Sequence, residues 1–320
     1  MAIGILCSGG DSCGMNPAIK SFVDYVYANN ETPYFIYEGF EGLIDNKIKK
    51  AEHKDVAGIL HLGGTIIKTS RSKRFFETKY RKQAFENLQQ HNIDKLIVLG
   101  GDGSFKGLHV FAQEFPINFI GIPTTIDNDI YGTEYTLGVD TALNVIKDAL
   151  DDIRDTSSSF KRAFVVETMG RDSGYLTAIS AITSGAEICI IPEVAYDLKS
   201  IKTRLNKELE HGREYILAMV SEGTKKTEQI AKFLEKSIDI ETRVIVLGHI
   251  QRGGNPTVFE RRMAHSFIIN AVDKLLTSSA IQNICVYTKN EFKFMDTTSV
   301  VSQPKQLNKE LIKQIEFMTK

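Results

Sequence analysis

The chain has 320 residues, of which 42% are hydrophobic, 25% charged and 9% aromatic, with a formal net charge of -1. This is the composition of an ordinary globular protein with enough apolar material for a sizeable core, and the length suits two medium lobes; disorder and fibres are excluded. A near-neutral net charge argues against broad attraction to nucleic acid or membrane surfaces, so any anionic ligand must be held by local groups. No apolar stretch approaches the roughly 18 residues of a spanning helix, and Met1 runs into a glycine loop without a basic leader, so a cytoplasmic protein is expected.

In chain order, the first expected strand is residues 3–7, which ends in Ser8-Gly9-Gly10-Asp11. A helix from near Asn16 follows, with Ile19, Phe22, Val23 and Val26 on one face. The strand at 96–99 runs into Gly100-Gly101-Asp102-Gly103-Ser104 and a helix from near Phe105. The strand at 118–122 runs into Pro123-Thr124-Thr125-Ile126-Asp127-Asn128-Asp129. Leu143, Ile146, Leu150 and Ile153 form the next helical stripe. Strands at 163–166, 188–191, 216–220, 244–247 and 284–287 follow, and a stripe of Leu307, Leu311, Ile315 and Met318 closes the chain. Such alternation of short β-rich runs with helical stretches predicts an α/β fold in which helices cover parallel sheets. There is no repeat and no Pro/Ser-rich tether, so a lobe boundary, expected near Gly138, passes between packed elements.

Six of these strands end in polar, glycine-containing segments. Besides the three given above they are Glu167-Thr168-Met169-Gly170-Arg171, Ser221-Glu222-Gly223 and Gly248-His249-Ile250-Gln251-Arg252. Open α/β sheets bind ligands outside the carboxyl ends of their strands, so the six are expected to converge on one cleft. Glycines between a strand and a helix let backbone N–H groups approach phosphate, and the helix terminus adds about half a positive charge. Taken singly, the loops at 8–11 and 100–104 serve equally well as tight turns. Neither is a Walker A or dinucleotide fingerprint. The Asp102 carboxylate in such a cradle would repel phosphate unless a cation stood between them, and magnesium is the natural bridge.

The segment at 123–129 packs two carboxylates, two hydroxyls and an amide behind a buried strand. A solvated loop with Asx turns is one reading. In the other, carboxylates two residues apart share one side of an extended chain, so one holds a metal while the other removes a proton from an attacking hydroxyl. Phosphoryl transfer needs both roles and cations for the transferred group. Arg71, Arg162, Arg171, Arg243 and Arg252 are candidates, of which Arg171 and Arg252 lie in post-strand segments. His249 is the histidine in a glycine-containing post-strand turn, and Met169 stands beside Gly170 and Arg171. Cys7, Cys13, Cys189 and Cys285 show no Cys-x-x-Cys spacing and are expected to be buried thiols.

These residues resemble the bacterial-type ATP-dependent 6-phosphofructokinases over essentially the whole chain. The resemblance is carried by Ser-Gly-Gly-Asp at 8–11, Gly-Met-Asn at 14–16, Gly-Gly-Thr at 63–65, Gly-Gly-Asp-Gly-Ser at 100–104 and Thr-Ile-Asp-Asn-Asp at 125–129. Arg-Asp-Thr-Ser-Ser-Ser at 154–159, Met-Gly-Arg at 169–171 and Gly-His-Ile-Gln-Arg-Gly-Gly at 248–254 complete it. It implies a phosphofructokinase fold: α/β, with two Rossmann-like three-layer lobes and mainly parallel sheets. Residues 1–138 plus 251–301 would form the ATP/magnesium lobe, and 139–250 plus 302–320 the sugar-phosphate lobe. The implied activity is phosphorylation of fructose 6-phosphate at its C1 hydroxyl by ATP with Mg2+, in a homo-oligomer, typically a tetramer.

By the same resemblance Asp127 is the general base, with Thr125 and Arg171 stabilising the transferring phosphoryl. Gly10, Arg71, Ser72, Gly101, Asp102, Gly103 and Ser104 hold ATP, and Asp102 and Asp129 hold magnesium. Thr125, Asp127, Met169, Gly170, Arg171, Glu222, His249 and Arg252 bind the sugar phosphate, with Arg162 and Arg243 reaching over from a neighbouring subunit. Gly103 points to ATP, since pyrophosphate-dependent relatives resemble this chain but with a second aspartate there. Thr124 stands where ATP-dependent members most often have glycine. Arg154, Gly185, Glu187 and Arg213 fit the effector-site pattern, whereas Lys20, Asp24, His53 and His211 depart from it, which implies weakened or absent ADP activation and phosphoenolpyruvate inhibition. The rival readings are a pyrophosphate-dependent phosphofructokinase, an NAD or lipid kinase, and a non-catalytic regulatory paralogue.

Overall fold

The computed structural model describes residues 2–157 and 161–320, so Met1 and the Ser158 and Ser159 of the 154–159 motif lie outside the described residues. The strands, in chain order, are β1 (Ala2–Ser8), β2 (Thr32–Ile36), β3 (Ile48–Lys50), β4 (Ile93–Gly100), β5 (Asn118–Pro123), β6 (Ala163–Thr168), β7 (Ile188–Ile190), β8 (Ile216–Ser221), β9 (Thr242–Val246), β10 (Gln282–Thr288) and β11 (Glu291–Asp296). The chain divides into two compact units, Met1–Thr141 with Arg252–Lys305, and Ala142–Gln251 with Gln306–Lys320.

The first unit is built on a seven-stranded sheet in the order β11-β10-β5-β4-β1-β2-β3. Its five central strands pair in parallel, and β3 and β11 close the two edges antiparallel. A parallel sheet covered on both faces needs continuous apolar strands, and β1 is buried at every position. Leu6, Val98, Phe105, Phe111, Phe119 and Ile284 pack in one fully buried cluster. Each such side chain contributes about 1.5–3 kcal/mol on burial. The chain passes from β1 outward to β2 and β3, then returns to β4 on the other side of β1. Strand order therefore reverses between β1 and β4, where an open α/β sheet forms its ligand crevice.

The second unit holds a four-stranded parallel sheet, β7-β8-β6-β9. Val165, Ile190, Ile201, Leu205, Ile216 and Ala218 form its core between sheet and helices.

All eight expected strands are present, with ends that differ by a few residues. Three others were not foreseen. β2 carries Pro33, which reads as a strand breaker yet is tolerated at a strand start. β3 is three residues long, and β11 sets Phe292, Phe294 and Met295 among exposed Glu291, Lys293 and Asp296, as suits an edge with one face toward water. β11 pairs with β10 through Lys289 and Asn290, both at positive φ, as a two-residue hairpin turn requires. The helix expected from Phe105 begins at Asp102, so the second glycine loop is shorter than the sequence suggests. The last stripe is also not one helix, because Asn308 caps Lys309–Ile315 after Leu307 and a 3-10 turn, Glu316–Thr319, follows.

Candidate active site

In the first unit, strand register sets three loop origins side by side. Ser8 pairs with Gly100, and Gly100 with Pro123, in one row along the carboxyl edge of β1, β4 and β5. Hydrogen bonds lace the loops beyond that row. The Ser104 hydroxyl lies 3.0 Å from the Ser8 carbonyl and 2.9 Å from the Ser8 hydroxyl, and the Thr124 N–H donates to the Gly100 carbonyl at 2.8 Å. A Cβ on Gly101 would stand 3.6 Å from Thr125 Cβ, so the glycine loop lies against the acidic one. Gly101 caps the Asp102–Glu114 helix, which brings the partial positive charge of a helix N-terminus to the same edge.

The acidic segment is buried rather than solvated. Asp127 is 3% exposed and Asn128 1%. The Asp127 N–H donates to Thr125 Oγ1 at 3.2 Å, and Asn128 adopts φ 48° while its amide donates to the Glu134 carbonyl at 3.1 Å. Thr124 is also buried, and its hydroxyl donates back to the Ile122 carbonyl at 2.9 Å. Its side chain is thus turned into the strand end. Asp102 accepts from Lys106 Nζ at 2.7 Å, one helical turn on. Asp129 faces Lys305, whose ammonium is pulled down to about 8 by burial against the opposing pull of Asp129 and Glu134.

Asp102, at the start of its helix, and Asp129, at the end of the acidic segment, each present hard oxygen donors. Magnesium takes one or two carboxylates plus substrate phosphates and keeps several waters, and this donor set fits it. Among the described residues no group of three or more His, Cys, Asp or Glu could hold a metal on its own.

Arg252 belongs to this unit and crosses the first glycine loop, with Nη1 3.8 Å from Asp11 Oδ1. Arg71 is exposed, while the Ser72 hydroxyl accepts from the Phe75 N–H at 3.0 Å. The segment they share is fixed from beside it. Arg74 donates to Glu41 and Asp45, and buried Arg81 donates to the Phe75 carbonyl at 2.7 Å and to Glu114.

In the second unit Thr168 pairs with Ser221, which sets the segments after β6 and β8 next to each other. The Glu222 carboxylate accepts from the N–H groups of Gly170 (3.3 Å) and Arg171 (3.1 Å). Arg171 adopts φ 51°, and a Cβ on Gly223 would fall 1.8 Å from the Arg171 carbonyl, so this approach requires glycine. The buried Gln251 amide accepts from the Met169 N–H at 3.1 Å and donates to the Gly248 carbonyl at 2.9 Å. It ties the segment after β9 to that after β6. His249 and Arg171 are exposed. Arg162 and Arg243 both pair with Glu241, whose carboxyl is held below its usual range chiefly by the Arg162 hydrogen bond.

The effector candidates also lie in this unit. Gly185 caps a helix at φ 62°, with its Cβ position 3.8 Å from Arg154 Nη2. Buried Glu187 accepts from Leu217 N–H at 2.7 Å and pairs with Arg213, and its desolvation pushes the carboxyl pKa up. In the first unit Asp24 pairs with Lys20 and lies 3.1 Å from His53 Nδ1. His211 Nδ1 donates to the Lys207 carbonyl at 2.6 Å. The four cysteines are buried and free, and burial pushes Cys7 and Cys189 up to about 12.

Three residues given no role in the sequence are held against this machinery: Gln251, Lys305 and Glu260. Gln251 stands inside the 248–254 motif, where its sequence position marks it. Lys305 and Glu260 act across long sequence separations, and no local pattern marks them.

Residues 2–275 match the family model described as phosphofructokinase. The ATP-dependent 6-phosphofructokinase of Sulfurimonas denitrificans is 56% identical over 311 residues, which is 97% of this chain and 97% of that protein. That of Wolinella succinogenes is 50% identical over 314 residues, 98% of each. The crystal structure of Pichia pastoris phosphofructokinase in the T-state shares the fold with TM-score 0.89 and 33% identity over 94% of this chain, which spans 35% of the length of that larger chain. With its parallel sheets and laced strand-end loops, the chain belongs to the phosphofructokinase family.

Proposed function

We propose that the protein transfers the γ-phosphoryl group of ATP to the C1 hydroxyl of D-fructose 6-phosphate, giving fructose 1,6-bisphosphate and ADP. The observation that carries this reading is the lacing at Ser8, Gly100 and Pro123. It gathers an anion-accepting helix terminus and the carboxylates of Asp102 and Asp127 at one edge of the sheet. Asp127 takes the C1 hydroxyl proton as the oxygen attacks the γ-phosphorus and the bond to the ADP oxygen breaks. Thr125 and Arg171 stabilise the charge on the transferring group. Gly10, Arg71, Ser72 and the loop at 101–104 bind the nucleotide, so the first unit is the ATP lobe. Asp102 and Asp129 would hold Mg2+, which neutralises phosphate charge when bound.

Met169, Gly170, Glu222, His249 and Arg252 bind the sugar phosphate, with Arg162 and Arg243 supplied by a neighbouring copy in a cytoplasmic homotetramer. Among the described residues no helix is long and apolar enough to cross a membrane. At the effector position the arginine of the second unit is tied to Glu187, and Asp24 would repel phosphate, so ADP and phosphoenolpyruvate regulate weakly. A strong shift of the fructose 6-phosphate saturation curve by either would refute this.

The donor is ATP rather than pyrophosphate. Gly103 has open space where a Cβ would stand and no positive φ, so packing does not require glycine. A helical glycine costs about 0.5–1 kcal/mol against alanine, which suits a position kept clear for a nucleotide. The test compares fructose 6-phosphate phosphorylation with ATP and with pyrophosphate, both with magnesium. Activity with ATP alone is expected, falling roughly 10²–10⁴-fold in Asp127→Ser. Activity only with pyrophosphate, or an unimpaired variant, would overturn the reading.

A further inference from the structure

Glu260 is fully buried, in the first turn of the Val258–Thr277 helix. One carboxylate oxygen accepts from the Tyr135 hydroxyl and the Gly138 N–H, each at 2.7 Å. The other accepts from the N–H (3.2 Å) and the hydroxyl (3.1 Å) of Thr141. A capping carboxylate ordinarily serves its own helix, yet these four donors all lie more than a hundred residues away, on the segment that follows the acidic loop. Burying a carboxylate is costly unless its lone pairs are satisfied, and here four donors satisfy them.

That segment carries the acidic loop. Leu137 N–H donates to the Pro123 carbonyl at 2.8 Å, the Thr136 hydroxyl donates to the Thr125 carbonyl at 2.6 Å, and Asn128 donates to the Glu134 carbonyl. Gly138 adopts φ 105°, and a Cβ there would come within 2.5 Å of Ser12 Cβ, so the segment is also pressed against the first glycine loop. Tyr135 packs edge-on against Phe259 with ring centroids 5.2 Å apart. Glu260 therefore holds residues 135–141, and from among them the Thr136 hydroxyl reaches both the Thr125 carbonyl and, at 3.3 Å, Asn128 Oδ1, on either side of Asp127.

We propose that Glu260 is a positioning residue for phosphoryl transfer, fixing the Thr125 to Asp129 loop through residues 135–141. The proposal rests on the activity given above. A one-ångström misplacement of reacting groups costs on the order of 10²-fold in rate, so a clamp of this kind sets kcat more than binding. Glu260→Gln would turn a donor toward groups that themselves donate, and Tyr135→Phe would remove one of the four bonds with little change of shape.

The test measures kcat, both KM values, thermal stability and amide hydrogen exchange in the full chain for Glu260→Gln, Tyr135→Phe and Ile268→Val. Ile268 is buried in the same helix, and its loss of a methyl destabilises by about 0.5–1.5 kcal/mol without touching the clamp. In the clamp variants kcat is expected to fall roughly tenfold to a hundredfold, with both KM values within about twofold. Exchange should rise in peptides spanning 124–141 and not in Ile268→Val. Parental kcat in a folded clamp variant, or an equal loss of kcat in Ile268→Val, overturns the proposal. Should Glu260→Gln not fold, Tyr135→Phe decides alone. A parent that fails to phosphorylate fructose 6-phosphate refutes the assigned activity, whereas hydrogen exchange still reads the clamp.

Discussion

The guanidinium of Arg252 lies over Gly10, so that a Cβ on Gly10 would stand 2.8 Å from Arg252 Nη1. Alanine there must push the arginine aside. Because the obstacle is the far end of a flexible side chain, the fold should tolerate it. Gly10→Ala is expected to keep its melting temperature within a few degrees and to lose roughly tenfold in kcat/KM for fructose 6-phosphate. Steady-state kinetics beside a thermal melt separate the two; an unchanged kcat/KM would show that Arg252 does not act from this place.

Gly103 should answer in the opposite way for stability. Its Cβ would meet open space, so Gly103→Ala is expected to raise stability by about 0.5–1 kcal/mol through helix propensity. The KM for ATP should rise, and more steeply for Gly103→Asp, whose charge faces the nucleotide. If the ATP KM of the aspartate variant matches the parent's, the donor does not pass over this residue.

Arg81 is 6% exposed in its side chain and forks onto Glu114 at 2.5 and 2.6 Å. Removing it strands the Phe75 carbonyl and the half-buried carboxylate, so Arg81→Met is expected to cost about 2–4 kcal/mol in urea unfolding near neutral pH. Arg81 holds the Glu114 pKa below its ordinary 4.5. A depressed carboxylate pKa stabilises fully above 4.5 and stops doing so as pH falls through the folded value. The gap between parent and variant should therefore narrow on acidification below that pH, and a constant gap would place the effect elsewhere.

Much of this arrangement was readable from residues alone because parallel strands are written as apolar runs that end abruptly in glycine and polar residues. The loops after β1, β4 and β5 announced themselves in that way, and their register did the rest. Edges were harder to read. β3 has three residues, β11 hides its apolar residues among the exposed Glu291, Lys293 and Asp296, and Pro33 disguised β2. Asp102 looked like a loop residue because two glycines flank it, although helices accept glycine in a first turn. Glu260 and Lys305 were silent, as their partners lie far away in sequence and are joined only by packing.

The chain leaves the first unit after Thr141 and returns to it at Arg252. During synthesis this ordering has a cost. β5 takes its outer partner from β10, so its edge hydrogen-bonding groups have no strand to meet until residues 282–284 have been made. An unpaired edge is the feature through which sheets recruit other chains. Biosynthesis thus exposes an edge of the first unit's sheet that the finished unit covers, and any pause in translating the inserted unit prolongs that exposure.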